Sequence, residues 1–378
     1  LIACYIINVA TRKGLPMTTG YLVLETGEVF EGEWIGAEYE IAGEVVFNTG
    51  MTGYQEMMTD PSYAGQILTF SYPLIGNYGL NETDDESFQV SASAILAGEV
   101  TETPNHYQSH STMTEKLMKA NIPGLKNIDT RAVVAAVRKH QTVRGKIVFN
   151  ERNVKDDEDW GVKENAALVD SVTVQEMMTY GSGNHHVVLV DFGYKKSILT
   201  ALLENDCKVT VVPYNTSYDT IQDLYPDGVL FSNGPGDPME MKPYFTTIKK
   251  LTQSYPSLGI CLGHQVIALA YGASTEKMPF GHRGSNHPVI DTTTGKVWIT
   301  SQNHGYVVIE NSVDSNEFEV LFRNVNDKTV EGMRHISLPL QSVQFHPEAH
   351  PGPSDTAYVF DDFIKQVSSA KENEVVKI

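Results

Sequence analysis

Cysteine is scarce: the 378-residue chain has three, Cys4, Cys207 and Cys261, and no C-x-x-C pair. Three cysteines cannot all be bonded to one another, which excludes a disulfide scaffold and fits a reducing, cytoplasmic compartment. No apolar run approaches the roughly 18 residues of a membrane-spanning helix. Positive charge is also in deficit. Lys and Arg number 28 against 47 Asp and Glu, a formal net charge of −19, and so acidic a surface repels nucleic-acid phosphates and anionic lipid. There is no G-x-x-x-x-G-K-[ST] loop, and Gly181-x-Gly183 lacks the third glycine of a dinucleotide fingerprint, so neither an ATP nor an NAD site is legible. The apolar segment Leu1 to Val9 has no basic stretch before it and no small-residue cleavage site after it. With Met17 as the natural start, Leu1 to Pro16 reads as upstream sequence.

What is present suits two folded domains. Hydrophobic residues make up 41% of the chain, enough to fill two cores. Residues 17–150 read as a mixed α/β unit. It opens with a hairpin, Tyr21 to Glu25 and Val29 to Ile35 around Thr26-Gly27, and continues through short strands at Glu44 to Phe47, Gln66 to Phe70 and Ser91 to Val100. Helical spacing follows at Thr112 to Ala120 and from the N-cap Asp129 through Arg138, then a strand at Lys146 to Phe149. Residues 151–183, charged at first and ending in Gly181-Ser182-Gly183, read as a linker. In 184–368 the strands His186 to Val190, Lys208 to Val212 and Gly228 to Phe231 show no polar alternation, and Lys195 to Leu203 reads as a helix. That pattern predicts a doubly wound α/β domain around a mostly parallel sheet covered on both faces.

The strongest chemical signal is Gly259-Ile260-Cys261-Leu262-Gly263-His264-Gln265, a glycine-flanked cysteine between an apolar strand and a helix. Such a corner needs glycines because backbones pass closely there, and it sets the thiol at a helix N-terminus, which favours the thiolate. The bland alternative is a buried structural cysteine. A base is supplied by Phe345-His346-Pro347-Glu348. Pro347 excludes helix, and in an extended chain residues i and i+2 face the same way, so Glu348 lies beside His346 in the logic of a Cys-His-Glu triad. A metal pair from His346 and His350 needs a helix that Pro347 and Pro351 forbid. The loop Asn233-Gly234-Pro235-Gly236-Asp237-Pro238 sits at a strand's carboxyl end, with backbone N–H groups free for an oxyanion. Gln302 to Tyr306 and Gly281 to Pro288 read as polar surface loops able to grip a small ligand.

These three motifs, in this order and spacing, closely resemble the class I, triad-type glutamine amidotransferases. The first domain resembles the amino-terminal domain of carbamoyl-phosphate synthetase small subunits, through Phe47 to Glu56, Thr59-Asp60-Pro61-Ser62-Tyr63, Tyr72 to Asn77 and Ile128 to Arg131. Together the resemblance spans about Thr19 to Phe363. It implies that Cys261 attacks the side-chain amide of L-glutamine, that His346 carries the proton and that Glu348 orients His346. The amides of Gly236 or its neighbour and of Leu262 would hold the oxyanion. Ser62, Gly234, Gly236, Leu262, Gln265, Asn303, Gly305 and Tyr306 match the glutamine-binding positions, and Lys195 matches a lysine near the cleft. Ser62 belongs to the first domain, so the site is expected at the domain interface.

The resemblance further implies a role in carbamoyl phosphate synthesis for arginine or pyrimidines. The ammonia would pass to a large partner subunit that uses ATP, Mg and bicarbonate, with no cofactor or metal in this chain. Another ammonia-using synthetase could take the same glutaminase. A cysteine peptidase on this fold would leave the amide-gripping residues and the first domain unexplained, and a silent binding subunit would have no need of an intact triad.

Overall fold

The computed structural model describes residues 18–154, 160 and 168–375; the reading of Met17 as a start and of Leu1 to Pro16 as upstream sequence lies outside them. The first domain contains β1 (Thr19–Leu24), β2 (Val29–Gly36), β3 (Ile41–Asn48), α1 (Tyr54–Thr59), β4 (Gln66–Phe70), β5 (Leu74–Ile75), β6 (Ala94–Leu96), β7 (Glu99–Val100), α2 (Met113–Ala120), β8 (Pro123–Lys126), α3 (Thr130–His140) and β9 (Val143–Val148). Seven strands close into a barrel in the order β1-β2-β8-β6-β4-β3-β9. Successive residues of one strand face opposite ways, and here both sides are covered. Val45 and Phe47 of β3, Ile67 of β4 and Leu96 of β6 join one cluster with Val133 and Val137 of α3. Val46, Leu68 and Ile95 join another with Met57 of α1 and Leu117 of α2. The expected cap is in place at Asp129, which caps α3, and Thr112 also forms a capping box with Glu115.

The second domain comprises β10 (Met178–Tyr180), β11 (His185–Asp191), α4 (Lys196–Glu204), β12 (Cys207–Pro213), α5 (Tyr218–Gln222), β13 (Gly228–Phe231), α6 (Phe245–Ser254), β14 (Ser257–Ile260), α7 (Leu262–Ala270), β15 (Thr275–Asp291), β16 (Val297–Val308), β17 (Phe318–Asn324), β18 (Val330–His335), β19 (Leu340–Val343) and α8 (Tyr358–Val375). Strands β12, β11, β13, β14 and β19 pair in parallel, the expected doubly wound core. Val188 and Val190 of β11 pack with Ile248 of α6 and Val266 of α7. Their neighbours Val187 and Leu189 pack on the other face with Ile198 of α4 and Phe363 of α8.

Three features depart from the sequence expectation. The sheet continues past β19 through the antiparallel strands β18, β17, β15 and β16. Strand β10, inside the segment expected to be a linker, pairs antiparallel with β12 and belongs to this sheet; its polar, three-residue length hid it. Helix α8 runs to Val375, past residue 368 where the domain was expected to end. Among the described residues no helix is long and apolar enough to cross a membrane.

Candidate active site

Strand β14 ends at Ile260, and the φ of 53° and ψ of −102° at Cys261 turn the chain sharply into α7. A non-glycine residue at positive φ is strained, and the neighbouring contacts hold it there. The Cys261 N–H donates to Val343 O (2.8 Å), and the Gly263 N–H donates to Ser232 O (3.0 Å). A Cβ on Gly263 would lie 2.2 Å from Phe231 O, and one on Gly259 would lie 2.9 Å from the backbone C and O of Gly263, so both glycines are required by the crossing of helix and sheet. The elbow inferred from sequence is therefore present. Cys261 is only 2% exposed, and its Sγ donates to the Asn303 carbonyl at 3.6 Å.

His346 is bridged to β16 through its N–H on Ser301 O (2.9 Å). Its Nδ1 meets Glu348 Oε1 at 2.6 Å, as expected, but through a turn and not an extended chain, since the Ala349 N–H donates to His346 O (3.1 Å) across Pro347 and Glu348. Its Nε2 is buried without a hydrogen-bond partner. Burial alone would lower the His346 pKa, but the Glu348 carboxylate and the adjacent Cys261 hold it up at about 10. Burial alone would raise Glu348, and Lys195 and His346 bring it down to about 2. Lys195, itself buried, donates from Nζ to Glu348 Oε1 (3.1 Å) and to Ala349 O. The triad is thus extended by a fourth charged group that the sequence marked only as lying near the cleft.

Beside Cys261 lies a cavity of about 530 Å³ with walls from both domains. Seven of the eight expected glutamine-binding residues line it: Ser62, Gly234, Gly236, Gln265, Asn303, Gly305 and Tyr306. Leu262 does not; its side chain packs into the core, which leaves its amide, in the unpaired first turn of α7, as the group available to an oxyanion. Gln265 Nε2 donates to Tyr306 O (2.9 Å) and Gln344 Oε1 (3.0 Å). The Tyr306 hydroxyl donates to Asp237 Oδ2 (3.2 Å), tying β16 to the Asn233 to Pro238 loop.

The segments around His282 and His304 are not surface loops. They pair as strands, with Arg283 opposite Asn303, and both histidines are buried. Their polar composition imitates a loop, yet several of their polar side chains find hydrogen-bond partners within the fold. His304 bridges Tyr306 O (2.8 Å) and Gln302 Oε1 (2.6 Å), Gln302 Nε2 donates to Glu331 Oε2 (2.9 Å), and His282 pairs with Asp327 (2.8 Å). Burial alone would lower His282, but Asp327 and Glu331 hold it up at about 9. His282, His304 and Glu331 are the one group among the described residues with clustered metal-ligand atoms, all within 4.8 Å of one another. The three are held mainly by neighbours: His304 by Tyr306 and Gln302, Glu331 by Gln302 and Asn324, and His282 by Asp327, with His282 Nδ1 3.4 Å from Glu331 Oε1 as an ion pair. His350, the rejected metal partner of His346, is exposed.

Sequence reasoning missed Asp60 as a site residue. It reads as turn chemistry, and indeed caps the single turn Pro61–Tyr63 through the Ser62 N–H (2.9 Å). Its other oxygen accepts from Asn303 Nδ2 of the second domain (2.8 Å). Nothing local in the sequence signals that second contact.

An elbow cysteine, a buried His–Glu pair and an adjoining polar cavity define a glutamine amidotransferase of the triad class, and the glutamine amidotransferase class-I family matches residues 188–366. The carbamoyl-phosphate synthase small chain CPSase domain matches residues 22–147. The chain is 50% identical over 352 residues to the carbamoyl phosphate synthase arginine-specific small chain of Bacillus subtilis, covering 93% of this chain and 98% of the relative. It is 48% identical to the arginine-specific small chain of Halalkalibacterium halodurans, covering 92% and 97%. To the carbamoyl phosphate synthase small chain of Listeria monocytogenes it is 46% identical, covering 95% and 99%. The chain belongs to the carbamoyl phosphate synthase small chain family.

Proposed function

We propose that this chain is the glutaminase component of a carbamoyl-phosphate synthase: it hydrolyses L-glutamine through a Cys261 thioester and delivers the ammonia to a large, ATP-using partner. The observation that carries this reading is the buried array Cys261, His346, Glu348 and Lys195, opening on a cavity built by both domains.

Cys261 Sγ attacks the side-chain amide carbon of glutamine, and the Leu262 amide with that of Gly236 or its neighbour receives the oxyanion. The proton given up by the thiol is held on His346 Nε2, the ring nitrogen that has no other partner. As the tetrahedral intermediate collapses, the carbon–nitrogen bond breaks, that proton passes to the leaving nitrogen, and ammonia departs. Water then adds to the thioester, its proton going to His346, and as the sulfur–carbon bond breaks glutamate leaves and that proton returns to Cys261 Sγ. Glu348 steadies the imidazolium at each stage, and Lys195 keeps Glu348 ionised.

Ammonia acts as a nucleophile only while unprotonated, and bulk water near neutrality converts most of it to ammonium. Direct transfer to a partner follows from that chemistry. This chain has no recognisable nucleotide loop, so the partner brings the ATP, Mg and bicarbonate chemistry. Cys261→Ser tests the assignment: glutamine-dependent synthesis by the assembled complex is expected to vanish while ammonia-dependent synthesis persists. Glutamine hydrolysis by this variant at near the parent rate would remove Cys261 from the mechanism.

A further inference from the structure

We propose that Asp60, although it belongs to the first domain, is the positioning residue through which that domain sets the glutamine pocket of the second; the inference rests on the glutaminase reading above. Asp60 is buried, 5% exposed. Its Oδ1 accepts the Ser62 N–H (2.9 Å) and lies 3.5 Å from Asn233 Nδ2, and its Oδ2 accepts Asn303 Nδ2 (2.8 Å). One carboxylate therefore faces donors from both domains.

Each donor leads to the pocket. Ser62 lines it, and its Oγ accepts from Asn233 Nδ2 (3.0 Å). Asn233 opens the loop that carries Gly234 and Gly236, and its Oδ1 receives the Lys195 N–H (3.1 Å). Asn303 lines the pocket, and its carbonyl receives the Cys261 thiol. Residues of both domains that are expected to contact glutamine are thus held in register by a single acceptor. A hydrogen bond to an ionised group is stronger than a neutral one, and the loss of a shared acceptor leaves several buried donors unmet.

Asp60→Asn isolates this role, because the replacement is isosteric. The local turn demands an oxygen at the Oδ1 position for the Ser62 N–H, which sends the new NH₂ toward Asn303 Nδ2. Two donors then oppose each other across the domain boundary, and the Asn303 amide must turn or withdraw. The turn survives and the contact between domains does not.

The test uses the complex with its large partner subunit. For Asp60→Asn, kcat/KM for glutamine is expected to fall by ~10–100-fold, carried mainly by KM. Peptide-resolved alkylation of Cys261 by iodoacetamide, which needs no bound glutamine, and ammonia-dependent synthesis should stay at parent levels. In an Asn303→Ala background the same change should alter kcat/KM by less than ~2-fold, since its effect passes through Asn303. A parent-like KM, an undiminished effect in the Asn303→Ala background, or a parallel loss of alkylation and ammonia-dependent synthesis would each overturn the proposal. Absence of glutamate release from the parent complex is a different result and defeats the glutaminase reading itself.

Discussion

Replacing Glu348 by Gln separates what the carboxylate contributes by shape from what it contributes by charge. Its Oε1 is where two donors converge, His346 Nδ1 at 2.6 Å and Lys195 Nζ at 3.1 Å, while Oε2 is buried with no partner. A glutamine carbonyl in the Oε1 place can accept from both donors, and its NH₂ falls where nothing opposes it. The reverse amide orientation would set NH₂ against two donors, each left unmet at a cost of about 1–3 kcal/mol. Ring orientation and tautomer of His346 should therefore survive, and only the negative charge is lost. An anion about 4 Å from an imidazolium is worth about 4 kcal/mol at an effective dielectric constant of about 20, an upper bound. A retained share of about 2–3 kcal/mol predicts a kcat lowered about 30–150-fold. His346→Asn removes the proton carrier itself and should cost about 10⁴-fold, the upper end of general acid–base catalysis.

Stability supplies an independent readout of the same substitution. Glu348→Gln leaves the Lys195 ammonium buried without its main anion, a change that typically costs about 3–5 kcal/mol. Adding Lys195→Met should recover stability but not kcat. The pH dependence has a definite sign. His346, raised from 6.5 to about 10, contributes stability that is complete below pH 6.5 and is lost as pH rises toward 10. Glu348, lowered from 4.5 to about 2, contributes stability that is complete above pH 4.5 and is lost as pH falls toward 2. The parent should therefore be most stable between pH 4.5 and 6.5, and Glu348→Gln should flatten both arms. The assays are steady-state glutamate release and denaturant unfolding across pH. A kcat for Glu348→Gln at or below that of His346→Asn would refute the reasoning, as would an unchanged pH profile of stability.

Gly263→Ala should destabilise the elbow and abolish glutaminase activity, because the new Cβ would lie 2.2 Å from Phe231 O, a backbone atom that cannot swing aside; unfolding midpoints and glutamate release measure the two effects. Glutamate release by this chain alone should be slow and should rise in kcat/KM on addition of the large subunit, and again with ATP and bicarbonate, since shifts of about 1 Å in such a site change rates about 100-fold. Equal values in all three conditions would show that the pocket needs no partner to reach its working geometry.

What could be read in advance was what short-range chemistry dictates. The Cys261 elbow is local, because strand, glycine and helix lie within a few residues. The His346–Glu348 contact is local too, the two residues lying on either side of Pro347, although the backbone that makes it is a turn closed by the Ala349 N–H and not the extended chain the proline suggested. The helix cap at Asp129 belongs to the same kind. Contacts whose partner lies far along the chain were less legible. The segments Gly281 to Pro288 and Gln302 to Tyr306 look like loops because buried strands are ordinarily apolar, and side-chain bonds of Arg283 to the Phe280 carbonyl, Asn303 to Asp60, Gln302 to Glu331 and His282 to Asp327 make polar strands tolerable there. Lys195 was legible only through resemblance, since its anion lies 153 residues away. Asp60 was the hardest. Its turn-capping oxygen satisfies every local demand, so the sequence shows no unmet need, while its second oxygen reaches a residue 243 positions on. A carboxylate retains a second oxygen after its cap is made, and burial requires that oxygen to find a donor. In this chain the donor belongs to the other domain, so the residue that ends a local turn also joins the two domains at the pocket.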